Sequence, residues 1–98
     1  MKAFLVANVT VKDGEKFQRY AKAAGESMQP FGGQVLTKGK AVEKLAGTGS
    51  NEHQNVALIC FPDLEKLEAW FYSEPYQTII PLREEAADMI ITSYVVPD

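Results

Sequence analysis

The start of the chain alternates with a period of two between an apolar set and a mixed set of positions. The apolar set is Ala3, Leu5, Ala7, Val9 and Val11, and the mixed set is Phe4, Val6, Asn8 and Thr10. Successive side chains of a strand point to opposite faces of a sheet. The pattern therefore predicts a first β-strand from Ala3 to Val11 with one wholly apolar face.

The next segment changes to a helical period. Asp13 is suited to cap a helix, and Glu15 then lies favourably in its first turn. Apolar side chains recur at three- and four-residue spacing at Phe17, Tyr20, Ala21, Ala24 and Met28. This predicts an amphipathic helix that ends near Gln29, because Pro30 and the pair Gly32-Gly33 stop it and turn the chain.

The middle of the chain predicts two strands joined by a polar loop. A second strand begins with residues 34–37 and continues toward Val42 and Leu45, and the interior Gly39 predicts a bulge or bend within it. Residues 47–55 are rich in turn formers and predict a hairpin loop. The apolar run 56–61 predicts the third strand.

The last third of the chain predicts helical segments and a closing strand. Pro62-Asp63 ends the third strand and caps a helix, whose apolar stripe is Leu64, Leu67, Trp70 and Phe71. The segment 73–75 interrupts this helix at Pro75, and Pro81 favours a new helix from Pro81 to about Asp88. Residues 90–96 predict the fourth strand.

The element order βαββαβ predicts an α+β, ferredoxin-like fold, in which a four-stranded antiparallel sheet carries its helices on one face. The 98 residues are expected to form a single domain, residues 1–98. The third and fourth strands are apolar at consecutive positions, which is typical of strands buried on both faces. We therefore expect the other face to be covered by a second copy, giving a homodimer through the sheet face.

Composition indicates which partners and which cellular compartment to expect. Ten Lys and Arg against 13 Asp and Glu give a net charge of −3 without a basic stripe, so nucleic acid is not expected as a partner. No run reaches the roughly 18 apolar residues of a membrane span, and Asn8 and Thr10 interrupt the N-terminal apolar stretch. The lone Cys60 is interpreted as a core residue. These features predict a cytoplasmic protein that does not associate with membranes.

Several segments together resemble a known family. They are Phe17-Gln18-Arg19-Tyr20, Phe31-Gly32-Gly33, Phe61-Pro62, and above all residues 69–77 with Ile80-Pro81-Leu82-Arg83. The chain is similar in these segments to the uncharacterised bacterial family numbered thirteen-thirty among the domains of unknown function. This resemblance implies membership in the dimeric α/β-barrel superfamily. That superfamily includes cofactor-independent monooxygenases, haem-dependent enzymes, isomerases and proteins without an assigned role, so the fold selects no chemistry.

Signals for metals and cofactors are nearly absent from the sequence, and we predict neither. His53 is the single histidine and lies in the polar loop, where it is either an ordinary exposed residue or a candidate acid/base group. The glycine-containing segment 47–50 lacks the lysine of a phosphate-binding loop and is interpreted as a turn.

Aromatic and polar side chains form the set of candidate ligand-binding residues, because they combine an apolar body with a hydrogen-bonding tip. The set is Asn8, Tyr20, Trp70, Tyr72, Tyr76 and Arg83. Core packing is the alternative interpretation, above all for Trp70. Arg83 is expected either to pair with a carboxylate such as Glu84 or Glu74 or to meet an anionic ligand.

Three hypotheses on function follow from these observations. The first is a small-molecule-binding dimer that acts on a flat, partly polar compound, with oxygenation or isomerisation without a cofactor as its enzymatic form. The second is a non-catalytic structural or interaction module whose aromatic residues serve only as core. The third is a haem or metal enzyme, for which fold analogy is the sole support.

Overall fold

The computed structural model describes residues 1–49 and 53–97. Its strands are β1 (Ala3–Val11), β2 (Gln34–Lys40), β3 (Asn55–Phe61) and β4 (Ala87–Val95). Its α-helices are α1 (Gly14–Met28), α2 (Leu64–Phe71), α3 (Glu74–Gln77) and α4 (Ile80–Ala86), and a 3₁₀ turn (Gln29–Phe31) follows α1.

The four strands form one antiparallel sheet in the order β2-β3-β1-β4. With α1 between β1 and β2, and α2 to α4 between β3 and β4, this is the predicted ferredoxin-like α+β fold. The molecule measures 38 × 36 × 18 Å, a thin layer of one sheet and one set of helices.

The two faces of the sheet differ in their covering. The odd residues of β1 are buried under the helices, whereas its even residues are only half-buried although β1 lies inside the sheet. Since β1 pairs on both sides, the remaining exposure must be on the face that carries no helix. We call this the open face; its residues in register are Phe4, Val6, Asn8, Thr10, Gln34, Thr37, Gly39, Val56, Leu58, Cys60, Asp88, Ile90, Thr92 and Tyr94.

The local signals for helix starts are confirmed. The carboxylate of Asp13 accepts a hydrogen bond from the backbone N–H of Lys16 at 3.0 Å, and Asp63 accepts one from Lys66 at 2.8 Å. Each satisfies a backbone donor that has no partner within its helix. After α1, Gly32 has a φ of +76°, which suits glycine, and a Cβ on Gly33 would lie 2.7 Å from the ring of Phe61.

The second strand differs from its prediction in two ways. It ends at Lys40, and Val42 and Leu45 are 95% and 88% exposed, because β2 pairs only with β3 and β3 begins at Asn55. The irregularity lies between Val35 and Thr37, not at Gly39. Pairing with β3 therefore decides both the length of the strand and the place of its bulge. Residues 50–52 of the predicted hairpin loop lie outside the described residues.

The boundary between α4 and β4 also lies earlier than predicted. The helix ends at Ala86 rather than near Asp88, and Ala87 already has extended backbone and pairs with Val11. Pro81 occupies the first turn of α4, as expected. Within the part of the chain that is described, no helix is both long and apolar enough to cross a membrane.

Candidate functional site

A cavity of about 540 Å³ lies between α1 and the helix-facing side of the sheet. Trp70 of α2 closes one part of its wall, and the polar side chains in the wall include Tyr20, Lys38, Lys40 and Asn55. The apolar lining consists of Leu5, Ala7, Val9, Val11, Phe17, Ala21, Ala24, Met28, Val35, Ala57, Ile59, Met89 and Ile91, with Gly25, Gly39 and Val56, the last of which lies at an open-face position of β3. Its size and apolar wall are those of a small-molecule site.

The cavity exists because small residues face one another across the helix and the sheet. The helix contributes Ala21, Ala24 and Gly25, and the sheet contributes Ala7 and Ala57. A Cβ built on Gly25 would have no heavy atom within 4 Å, so this side of the helix is open space. Protein interiors are normally filled to the density of crystals, and larger side chains at these positions would fill the gap.

Trp70 packs at the boundary between the cavity and the core. It is 1% exposed, and its ring centroid lies 4.4 Å from that of Tyr76 and 5.4 Å from that of Phe61. Its indole N–H donates to Ser27 Oγ at 2.8 Å, and that hydroxyl donates to the carbonyl of Ala24 at 2.7 Å. Trp70 is therefore a core residue that also lines the cavity, and its role in ligand binding stays a prediction.

Tyr20, Tyr76 and Arg83 form a chain of hydrogen bonds. The hydroxyls of Tyr20 and Tyr76 are 2.8 Å apart, and Arg83 Nη1 donates to the Tyr76 hydroxyl at 2.9 Å. Arg83 Nη2 also donates to Glu84 Oε1 at 3.0 Å, so the pairing with a carboxylate, one of the two sequence alternatives, is present. Tyr20 lines the cavity, whereas Tyr76 and Arg83 are not among its lining residues.

Burial and hydrogen bonding shift the pKa values of two members of this chain, Tyr20 and Arg83. Desolvation raises the pKa of Tyr20 well above its ordinary value, and the neighbouring Tyr76 raises it further against the lowering effect of Arg83. Desolvation alone would lower the pKa of Arg83, but its hydrogen bonds to Tyr76 and Glu84 outweigh this and the net pKa is raised. Arg83 therefore stays charged and the Tyr20 phenol stays neutral.

The raised pKa of Tyr20 predicts a loss of stability at high pH. In the unfolded chain Tyr20 loses its proton above about pH 10, whereas in the folded protein it keeps it. The folded state then binds more protons, so the free energy of unfolding falls as pH rises above 10, by about 1 kcal/mol at pH 11 from this group. We expect Tyr20→Phe to remove this part of the pH dependence, measured by urea unfolding at pH 8 to 11. An equally steep fall in the variant would contradict the assignment.

The other candidate residues lie apart from the cavity. Asn8 is half-buried in the centre of the open face, opposite Val56 and Ile90, and therefore on the other side of the sheet. Tyr72 is 74% exposed at the end of α2 and packs edge-on against Phe71. His53, just before β3 begins, has its Nδ1 3.0 Å from Thr10 Oγ1 of β1. The structure thus brings four of the seven predicted residues together: Tyr20, Trp70, Tyr76 and Arg83.

Sequence reasoning missed the residues that create the cavity and its polar wall. Ala21, Gly25 and Ala57 carry no chemical signal, since only their small size matters. Lys38 and Lys40 line the cavity because of the register of β2, which depends on pairing with β3. Among residues 1–49 and 53–97, no three His, Cys, Asp or Glu side chains gather in a group that would hold a metal ion.

Fold and cavity together define the class: a ferredoxin-like α+β protein with an apolar cavity between its first helix and its sheet. The chain belongs to the family described as a domain of unknown function, DUF1330, which matches residues 2–96. The family resemblance in the sequence is thereby confirmed. No curated protein matches the sequence significantly.

Solved structures with the same fold have low sequence identity. A protein of unknown function from Rhodopseudomonas palustris has a TM-score of 0.80 at 15% identity, over 98% of this chain and 82% of that one. SnoaB, a cofactor-independent oxygenase from Streptomyces nogalater, has a TM-score of 0.69 at 8% identity, over 99% and 94% of the two chains. A dimeric ferredoxin-like protein of unknown function from Thermobifida fusca has a TM-score of 0.63 at 9% identity, over 98% and 92%.

Proposed function

We propose that this protein is a homodimer that binds a flat, largely apolar small molecule in the cavity between α1 and the sheet. The observation that carries the proposal is the 540 Å³ cavity itself, since a helix and a sheet that serve only as scaffold would pack without it. Tyr20 and Trp70 supply aromatic surface to its wall. This favours binding over a purely structural module, for which these side chains would line no cavity.

The open face supports the dimeric part of the proposal. Phe4 and Tyr94 stack there with centroids 5.1 Å apart, and Ile90 and Tyr94 remain 56% and 45% exposed. Removing such side chains from water stabilises the assembly by about 25 cal/mol for each Å² of apolar surface that is buried. A second copy of the chain offers a matching face, and two sheets then pack face to face around a twofold axis.

Dimerisation and ligand binding would use opposite faces of the sheet. The cavity lies on the helix-facing side, so a partner on the open face would neither close nor fill it. Each subunit would therefore bind its own ligand. Asn8, at the centre of the open face, would meet the second subunit rather than the ligand.

The cavity predicts that a neutral aromatic probe binds to the protein. N-phenyl-1-naphthylamine is aromatic and apolar, and it fluoresces strongly when it leaves water. We expect micromolar binding with one probe per subunit. Ala57→Leu adds bulk in the cavity wall and should weaken this binding about tenfold or more, because the added side chain occupies the ligand's space.

The matched control for this experiment is Ala69→Leu, which adds the same atoms on the exposed side of α2. It should leave the fluorescence titration unchanged. Equal binding by both variants would place the probe outside the cavity, and absence of binding by the wild type would remove the proposed function.

Catalysis without a cofactor is the second candidate function. The fold shared with the Streptomyces oxygenase supports it, as does an apolar cavity with a tyrosine in its wall. Oxygen uptake with quinol-like and catechol-like substrates tests it. No turnover across a broad panel, at concentrations that saturate the cavity, would leave binding as the function.

A further inference from the structure

The edge strand β2 contains an extra residue that changes which side chains face the cavity. Val35 pairs with Ile59, but the next pair along the strand is Thr37 with Leu58, so Leu36 has no partner of its own. This is a β-bulge, and bulges redirect the side chains that follow them.

The redirected side chains are two lysines. After the bulge, Lys38 pairs with Ala57 and Lys40 with Asn55, positions on the helix-facing side of the sheet. If the register of Val35 with Ile59 continued without the bulge, Leu36 would pair with Leu58 and Lys38 would lie opposite Val56, on the open face. The bulge thus places both lysines in the cavity wall and leaves Thr37 on the open face instead.

The lysines bring positive charge to a cavity whose wall is largely apolar. Lys38, Lys40 and the amide of Asn55 all line it. The ion pairs found among the described residues join Lys12 to Asp88, Lys16 to Glu85 and Arg83 to Glu84, and none includes Lys38 or Lys40. Both ammonium groups therefore remain available to an anion in the cavity.

We propose that the ligand is a planar organic anion. Its ring packs against the apolar wall and Trp70, and its carboxylate or similar acidic group pairs with Lys38 and Lys40, with Asn55 as a further donor. This proposal rests on the proposed function of the cavity, and it adds the charge of the ligand and the residues that recognise it.

Protection of the sheet edge is the competing explanation of the two lysines. Charged side chains on an edge strand that point inward hinder pairing with another chain. In that case the lysines would keep β2 from aggregating and would contribute nothing to ligand affinity. The experiment must therefore compare a charged ligand with its neutral counterpart.

The probes 1-anilinonaphthalene-8-sulfonate and N-phenyl-1-naphthylamine share one ring system and differ in the sulfonate. We expect the double variant Lys38→Gln/Lys40→Gln to weaken binding of the sulfonate probe about five- to tenfold and of the neutral probe less than about twofold. Raising the salt concentration should weaken wild-type binding of the sulfonate probe more than that of the neutral probe, because salt screens exposed charges. The control Lys66→Gln, on the exposed side of α2, should change neither affinity.

The outcomes separate the two proposals. Unchanged sulfonate binding by the double variant, with neutral binding still weakened by Ala57→Leu, overturns the anion site and leaves the proposed function standing. If the double variant newly self-associates while its affinities for both probes are unchanged, the lysines protect the sheet edge and the anion site is overturned. If neither probe binds the wild type, or if Ala57→Leu weakens neither, both proposals fall together.

Discussion

Trp70→Ala is expected to remove a large part of the stability of the protein. The side chain is 1% exposed and its ring lies within 6.0 Å, centroid to centroid, of Phe61, Phe71 and Tyr76. Truncating a buried tryptophan costs about 3 to 5 kcal/mol, through the lost transfer of apolar surface and the void left behind. Domains of this size have a free energy of unfolding of only about 5 to 15 kcal/mol. Urea unfolding followed by circular dichroism measures the loss.

Two milder variants separate packing from hydrogen bonding at this position. Trp70→Phe keeps an aromatic ring but loses the N–H that donates to Ser27, and Ser27→Ala leaves that N–H buried without its acceptor. We expect Ser27→Ala to cost about 1 to 3 kcal/mol in the wild type and clearly less in the Trp70→Phe background. A loss below about 1 kcal/mol for Trp70→Ala would show that the ring is not a core residue.

Elements fixed by local signals could be predicted from the sequence. The alternation of β1 and the capping residues Asp13 and Asp63 act within a few residues, and the structure has each where the pattern indicates. The bulge at Leu36 has no such signal, because it arises from the register that β3 imposes on β2. Gly39 misled the prediction, since a glycine permits a bulge but does not require one. At the start of β4, pairing of Ala87 with Val11 outweighs the local preference for helix.

The site was predictable in its chemistry but not in its geometry. Aromatic and arginine side chains are visible in the sequence, yet the Tyr20–Tyr76 hydrogen bond joins residues that are 56 positions apart. The cavity depends on small side chains on two elements that meet only in the fold, such as Gly25 and Ala57. Empty volume has no signature in composition or period, so the sequence alone does not predict the cavity.

Leu58→Lys is expected to convert the proposed dimer to a monomer. Leu58 lies on the open face between Val6 of β1 and Thr37 of β2, away from the helices and the cavity. Twofold symmetry would bring two new ammonium groups into one apolar interface, and burying an unpaired charge costs several kcal/mol for each. The dimer dissociation constant should therefore rise about a thousandfold or more.

Sedimentation and native mass spectrometry measure this shift, because the wild type should appear at twice 10.8 kDa and the variant at 10.8 kDa. The control Ala69→Lys adds the same charge on the exposed side of α2 and should remain dimeric. Binding of the neutral aromatic probe by monomeric Leu58→Lys would further support one independent cavity per subunit, since the cavity and the open face lie on opposite sides of the sheet. A wild-type protein that is monomeric at micromolar concentration would contradict the dimer, because the apolar side chains of its open face would then be stable in water.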